Sequence, residues 1–315
     1  MLPSSIGQAG QRLRSRLADG VGYGYNAKGP NVLMPITTQY ATRLRRVFSA
    51  MGVMPFAFFV WRHVRFWSPG LIRKNRRLRQ QHHTLTPIPP GNLIFSATGT
   101  RDVSWFLDSG VQTATAFRQA LESIGRPLET FSDVFELGCG CGRVLRQWHN
   151  EEGPNFYASD YNPLGVEWAK ANLGFVTLRT NDLAPPLQFE GASFDLCYAV
   201  SVFTHLPEPL QMPWLTELHR VLRPGGILLV TLSGRGDLVR ITAPEQAKFD
   251  AGELVVIDPE FAGTNMCGVY HPESFVRANW SSLFDVLRFL PEGASGSPKQ
   301  DLYVLEKRSG RQRDL

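Results

Sequence analysis

The sequence predicts an α/β protein built on a mostly parallel sheet, and three observations carry the prediction. From about residue 91 onward short apolar runs alternate with helical periodicities, as a sheet with crossover helices requires. Gly138, Gly140 and Gly142 follow the first apolar run directly, where the chain must turn sharply out of a strand. Asp160 closes the next run, at the distance where a carboxylate meets a ribose in nucleotide-binding sheets. The composition agrees: 315 residues, 43% hydrophobic and 19% charged, are enough for a large core.

Several classes fall away at once. Four cysteines, Cys139, Cys141, Cys197 and Cys267, are too few for a disulfide scaffold. They form no CxxC pair and have no histidine cluster beside them, so no metal is expected. Their scatter suits a reducing, cytoplasmic setting. Charge is divided unevenly: residues 1–80 carry 14 Lys/Arg against one acid, and residues 81–315 carry 19 against 27. A basic arm of this kind attracts phosphates and says little about fold.

Residues 1–90 read as a basic helical extension and linker, 91–308 as the α/β domain and 309–315 as a tail. Within the arm, the apolar run 47–61 is shorter than the roughly 20 residues a spanning helix needs, and Pro55 interrupts it. Flanked by arginines, it reads either as a helix packed on the domain or as an interfacial helix. In the second case residues 43–79 meet anionic lipid on the inner face of the membrane. Pro87, Pro89 and Pro90 mark the linker.

In the domain, Val111, Ala114, Phe117, Leu121 and Ile124 recur at helical spacing, with Gly125 to end the helix. Residues 134–137 form the first strand and about 143–152 a helix. A second strand, 156–159, leads into a helix that Asn162 caps and Pro163 opens. Strands follow at 175–178 and 194–200. Trp214, Leu218, Val221 and Leu222 line a helix that Arg-Pro-Gly-Gly turns into the strand 227–232. Residues 284–290 and 301–306 have no helix between them and pair as an antiparallel hairpin. The segment 234–271 is longer than an ordinary loop and is expected to cap a substrate site.

The chemistry concentrates in the stretch ELGCGCG. Its glycines let backbone approach a ligand, and the helix expected beyond them aims free N–H groups at an anion. The ordered set ELGCGCG, Asp160, Asn181-Asp182-Leu183 and LRPGGILLV resembles the class I S-adenosylmethionine-dependent methyltransferases. More narrowly, GCGCGRVLRQW, SVFTHLPE and QDLYVLEKR resemble a bacterial group linked to glycans and glycolipids. The resemblance implies a Rossmann-like seven-stranded sheet of order 3-2-1-4-5-7-6 with helices on both faces, the last strand inserted antiparallel. It also implies S-adenosylmethionine as cofactor. Gly138, Cys139 and Gly140, with Gly142 completing the turn, would meet the methionine part, Glu136 standing behind them. Asp160 would hold the ribose, Tyr161 or Asn162 would lie beside the adenine, Asp182 and Leu183 would read its edge, and Ser201 would sit near the sulfonium.

A hydroxyl acceptor needs a base, and a histidine suits neutral pH. His205 follows the fourth strand at the ligand-binding edge; its plainer alternative is a hydrogen bond to a backbone carbonyl. His271, in the cap segment, is the second candidate. The expected reaction is methyl transfer to an oxygen of a small-molecule, glycan or lipid-linked acceptor. The rivals are an NAD(P)-binding oxidoreductase, which GCGCG fits poorly, and a non-catalytic membrane-docking protein. No Asn/Asp-Pro-Pro-aromatic motif follows the fourth strand, so a nucleic-acid acceptor ranks low.

Overall fold

The computed structural model describes residues 68–81, 86–297 and 300–308. The apolar run 47–61, the basic arm up to residue 67 and the tail lie outside them. Three helices precede the sheet: α1 (Pro69–Gln81), α2 (Gly91–Thr98) and α3 (Val103–Glu122). The Asp102 carboxylate caps α3 by accepting from the Ser104 and Trp105 N–H groups. Phe106, Thr113, Phe117 and Leu121 form its buried face, whereas Val111, expected on that face, is 52% exposed. The proline segment is pinned at both ends. Arg79 donates to the Ile88 and Pro89 carbonyls, and Arg146 to those of Thr86 and Pro87.

The sheet runs β3 (Val176–Thr180), β2 (Asn155–Asp160), β1 (Asp133–Leu137), β4 (Phe194–Ala199), β5 (Leu222–Ser233), β9 (Gln300–Lys307), β8 (Phe284–Leu290). Strands β1 to β5 are parallel, and β9 lies antiparallel between β5 and β8. The order is the expected 3-2-1-4-5-7-6, with β8 and β9 as its sixth and seventh members. One apolar layer joins α3 and α4 (Pro163–Asn172) through Phe117, Leu145 and Val166. The other joins α5 (Glu208–Val221) and α7 (Glu273–Trp280) through Trp214, Leu218 and Trp280. Asn162 caps α4 and Pro163 opens it, as the sequence indicates.

The expected helix over 143–152 is not there. Turns and a four-residue 3-10 segment, Leu145–Trp148, follow the glycine loop instead. The reason is packing on every side. Residues 141–148 are all buried or half-buried, so a 3.6-residue period would have no solvent face. Trp148 is engaged by Tyr198, Arg146 by the proline segment and Arg143 by α3.

The segment 234–271 folds as the 3-10 turn Arg235–Arg240, α6 (Ala243–Asp250) and the hairpin β6 (Val255–Ile257) with β7 (Gly268–Tyr270). Leu238, Ile241, Phe249 and Val255 give it a small core of its own. Ser233 pairs with Gln300 on one side and Tyr270 on the other. Tyr270 therefore occupies the edge that β4 vacates when it stops at Ala199. That register carries the hairpin over the carboxyl ends of the central strands.

Candidate active site

A single cleft at those carboxyl ends gathers Glu136, Gly138, Cys139, Gly140, Asp160, Tyr161, Asn162, Asp182, Leu183, Ser201 and His205. Two expected residues stay outside its lining, Gly142 and His271.

The glycine loop is built for close approach. Gly138 and Gly140 have φ of +76° and +56°. A Cβ on Gly138 would stand 2.4 Å from Val202 Cγ2, and one on Gly140 2.8 Å from Ala97 Cβ. Gly142 shapes the turn from behind: φ is +79°, and a Cβ there would strike Leu173 Cδ1 at 2.4 Å. Gly138 and Cys139 both donate to the Ser159 carbonyl, at 2.8 and 3.1 Å. Asp160 braces the loop as well, its Oδ2 accepting from Gly140 N–H and its Oδ1 from Asn162 N–H, both at 2.7 Å. A carboxylate has about four acceptor sites, so these bonds leave capacity for a ligand. Burial raises the Asp160 pKa, and the two backbone bonds oppose the rise.

Behind the loop, Trp148 donates to Tyr198 Oη (2.9 Å), and Tyr198 donates to Glu136 Oε2 (3.0 Å). Glu136 is 2% exposed, and burial pushes its pKa up to about 8. Cys139 and Cys141 are free, buried thiols held protonated by burial, Cys141 with a pKa near 12. No group of three or more potential metal ligands occurs among the described residues.

At the β2–β3 end, a Cβ on Gly263 would meet Leu183 Cδ1 at 2.5 Å and the Tyr161 ring at 3.8 Å. The inserted segment thus lies directly on the residues expected to hold the nucleoside. Asn265 Nδ2 donates to the Ser96 carbonyl of α2 (3.2 Å), and Asn162 Nδ2 to Ser96 Oγ (3.0 Å), roofing this end. Asn181 Oδ1, which also borders the cleft, is buried with no hydrogen-bond partner. An acceptor atom waiting for a donor is what an adenine amine would satisfy.

Over β4, β5 and β9 a polar but uncharged network replaces the acids. Ser201 adopts φ +58°, a conformation costly for a non-glycine residue and recurrent at functional sites. Its N–H donates to Thr231 Oγ1 (2.8 Å), and its hydroxyl donates to Gln300 Oε1 (2.7 Å), which also accepts from Thr231 Oγ1 (2.8 Å). His205 Nδ1 lies 2.6 Å from the Cys267 carbonyl. A carbonyl only accepts, so Nδ1 carries the proton and Nε2 the lone pair. Burial holds the His205 pKa below its ordinary value, which keeps this tautomer neutral. The carbonyl partner expected on plain structural grounds is therefore present, and it also fixes the base-competent form.

His271 is differently placed: 1% exposed, with Nε2 against the Gln211 side chain, and so deeply desolvated that its pKa falls to about 3. Thr231, Gln300, Asn265 and Arg143 complete the site; Arg143 and Gln300 lie within motifs quoted above, but the sequence assigned none of the four a role. Each is recruited by a contact with a distant part of the chain.

Residues 135–230 match a family described as a methyltransferase domain. The chain is 29% identical over 119 residues to the tRNA N(3)-cytidine methyltransferase METTL2 of Gallus gallus, and 27% identical over 118 residues to the tRNA N(3)-methylcytidine methyltransferase Mettl2 of Drosophila melanogaster. Each match takes in 34% of this chain; it spans 32% and 36% of those proteins, about a third of their length. Among solved structures, human N-acetylserotonin methyltransferase in complex with S-adenosylmethionine aligns with a TM-score of 0.47 at 18% identity, covering 70% of this chain and 56% of that one. The family match falls on the stretch that carries the glycine loop and strands β1 to β5, an S-adenosylmethionine-dependent methyltransferase domain.

Proposed function

We propose that the protein transfers the methyl group of S-adenosylmethionine to a hydroxyl of an uncharged small-molecule, sugar or lipid-linked acceptor, with His205 taking the proton. The observation that carries this reading is the division of the cleft by charge. Glu136, Arg143, Asp160 and Asp182 all come from the part of the chain spanning β1 to just past β3. The lining from later in the chain includes Ser201, Thr204, His205, Ser233, Asn265 and Gln300, and it holds no Asp, Glu, Lys or Arg. The first half suits a zwitterionic amino acid joined to a nucleoside, and the second suits a neutral polyhydroxyl group.

When bound, the cofactor supplies an electrophilic methyl on a sulfonium. The chain's own residues then have three tasks. The loop 138–140 admits the amino-acid tail, with Glu136 facing its ammonium. Asp160 gives its remaining lone pairs to the ribose, and Asp182, Asn181 and Leu183 border the adenine. His205 Nε2 accepts the acceptor's proton as the new bond forms, its ring held by the Cys267 carbonyl. The rest of the acceleration comes from position, since an in-line approach to an activated methyl needs little more.

A second surface supports a lipid-linked acceptor. On α1, Arg73, Arg76 and Arg77 are exposed at i, i+3 and i+4 spacing, while Lys74 pairs with Asp102. They suit an anionic membrane face. No helix among the described residues is long and apolar enough to cross a membrane. Because the METTL2 proteins are named for tRNA, a tRNA acceptor is the alternative outcome.

The test is transfer of labelled methyl from the cofactor into a lipid and small-molecule extract and, in parallel, into tRNA. Label in the organic or small-molecule fraction as an alkali-stable ether supports the proposal; label in tRNA overturns the acceptor assignment. His205→Ala is expected to lower turnover by about 10²–10⁴ with cofactor affinity unchanged.

A further inference from the structure

Gln300 opens β9 and borders the cleft, yet only half of its amide is used. Its Oε1 accepts from the Ser201 hydroxyl at 2.7 Å and from the Thr231 hydroxyl at 2.8 Å. Its Nε2 makes no hydrogen bond among the described residues, although Gln300 is only 4% exposed. The neighbours fix which way the amide faces. Thr231 is fully buried, and its oxygen already accepts from the Ser201 N–H, so its own proton needs an acceptor. Gln300 supplies one only with Oε1 turned inward. Turned the other way, it would leave a buried hydroxyl proton without a partner. Nε2 is therefore the end offered to the cleft. A buried donor left without an acceptor is costly until a ligand satisfies it.

Ser233 stands beside it. The two residues are direct partners across the antiparallel pair β5 and β9, so their side chains share one face with Cβ atoms about 4.5–5.5 Å apart. Ser233 borders the same cleft, and its hydroxyl bonds to nothing else among the described residues. Two such heads on one wall can hold one small polar group between them. The Gln300 nitrogen only donates, whereas the Ser233 hydroxyl also accepts. Together they match a group that accepts one hydrogen bond and donates another, which is a hydroxyl. An ammonium would meet Nε2 donor to donor. The wall is joined to the candidate base as well. The Thr204 hydroxyl donates to the Ser201 carbonyl at 2.7 Å, within the turn that ends at His205.

We propose that Gln300 and Ser233 read a second hydroxyl next to the one that is methylated, so that the acceptor is a 1,2-diol of a sugar or polyol. The proposal rests on the oxygen-methylation reading above. One oxygen of the diol gives its proton to His205 and gains the methyl, while the electron pair of the broken S–C bond stays on sulfur. Its neighbour keeps its proton, accepts from Gln300 Nε2 and donates to Ser233 Oγ. With the second oxygen held, only one of the two can lie in line with the methyl. The pair thereby selects the position methylated as well as the class of acceptor.

Transfer of labelled methyl by the full chain into a lipid and small-molecule extract tests this, before and after the extract is oxidised with periodate and reduced with borohydride. That treatment destroys 1,2-diols and spares isolated hydroxyls. The expected result is loss of labelling in the treated extract, and recovery of label from the untreated one in a neutral sugar or polyol after acid hydrolysis. Undiminished labelling after periodate overturns the proposal without any variant, and so does label in an aromatic or amine product. Gln300→Glu keeps an oxygen for the Ser201 and Thr231 hydroxyls and removes only the donor. It should lower transfer about 10- to 100-fold, chiefly by raising the extract concentration needed for half-saturation, with S-adenosylhomocysteine affinity unchanged. Ser233→Ala should act in the same direction. Full transfer by Gln300→Glu overturns the proposal, and so does loss of S-adenosylhomocysteine binding, because the residue then serves the cofactor. If wild type labels nothing in the untreated extract, or labels tRNA alone, the acceptor reading itself fails and this inference falls with it.

Discussion

At Glu136 a single carboxyl links burial, pH and ligand. Desolvation, with the Asp160 charge acting the same way, outweighs Tyr198, Arg143 and the Leu145 backbone, raising the pKa from 4.5 to about 8. An acid whose folded pKa is raised binds its proton more tightly when folded. Its contribution to stability is therefore complete below about pH 4.5 and is lost as pH rises toward 8. A cofactor bringing an ammonium prefers the ionised form, so S-adenosylhomocysteine should bind more tightly at pH 8 than at pH 6. Titrations at both values check this, and Glu136→Gln should flatten the difference; an unchanged slope in that variant assigns the effect elsewhere. Asp160 makes the complementary case: Asp160→Ala should cost roughly 1.5–3 kcal/mol of cofactor affinity, through lost ribose bonds and a loosened loop. Isothermal titration decides whether it does.

Among elements, α3 and the turn after the glycine loop are closely interlocked. A Cβ on Gly110 would stand 2.4 Å from the Arg143 carbonyl oxygen, so the helix touches that backbone directly. Gly110→Ala must push the two apart, and an overpacked contact of this kind costs about 1–3 kcal/mol. The expected result is a lower melting temperature together with weaker cofactor binding, since the same shift moves the turn that continues the glycine loop along the cleft. A variant with wild-type melting would show that the contact relaxes freely. The inserted hairpin is a second such element. Gly263 N–H donates to the His205 carbonyl (2.8 Å), and the Cys267 carbonyl accepts from its ring, so the segment that covers the cleft also orients the candidate base.

Across the whole molecule, charge separates into an acidic α/β body and a basic leading segment whose described portion is α1. Asn75 ties α1 to the start of α3, donating to the Arg101 carbonyl and accepting from Val103 N–H. Trp105, two residues on, lines the cleft. Reversing Arg73, Arg76 and Arg77 to Glu should reduce partition onto vesicles containing anionic lipid by roughly tenfold or more, at about 1 kcal/mol per charge, and leave cofactor affinity intact. Sedimentation with anionic and neutral vesicles checks it; equal partition of both proteins would refute the lipid role.

The strand order was implied by the resemblance to class I methyltransferases; the strand positions, the glycine turn, the Asn162 cap and the run of acids along the first three strands were legible along the chain. The latter are all written in local pattern: apolar period, a missing Cβ, a carboxylate at a strand end. The features that packing settled have partners far apart in the chain. Arg143 takes its neighbours from α3 and the β8–β9 loop, Gln300 meets Ser201 and Thr231, and His205 owes its tautomer to Cys267. The helix expected after the glycine loop failed for the same reason. Local periodicity counts apolar residues along one segment, whereas the pressure that tightened this one into a 3-10 turn comes from bodies packed on all its sides.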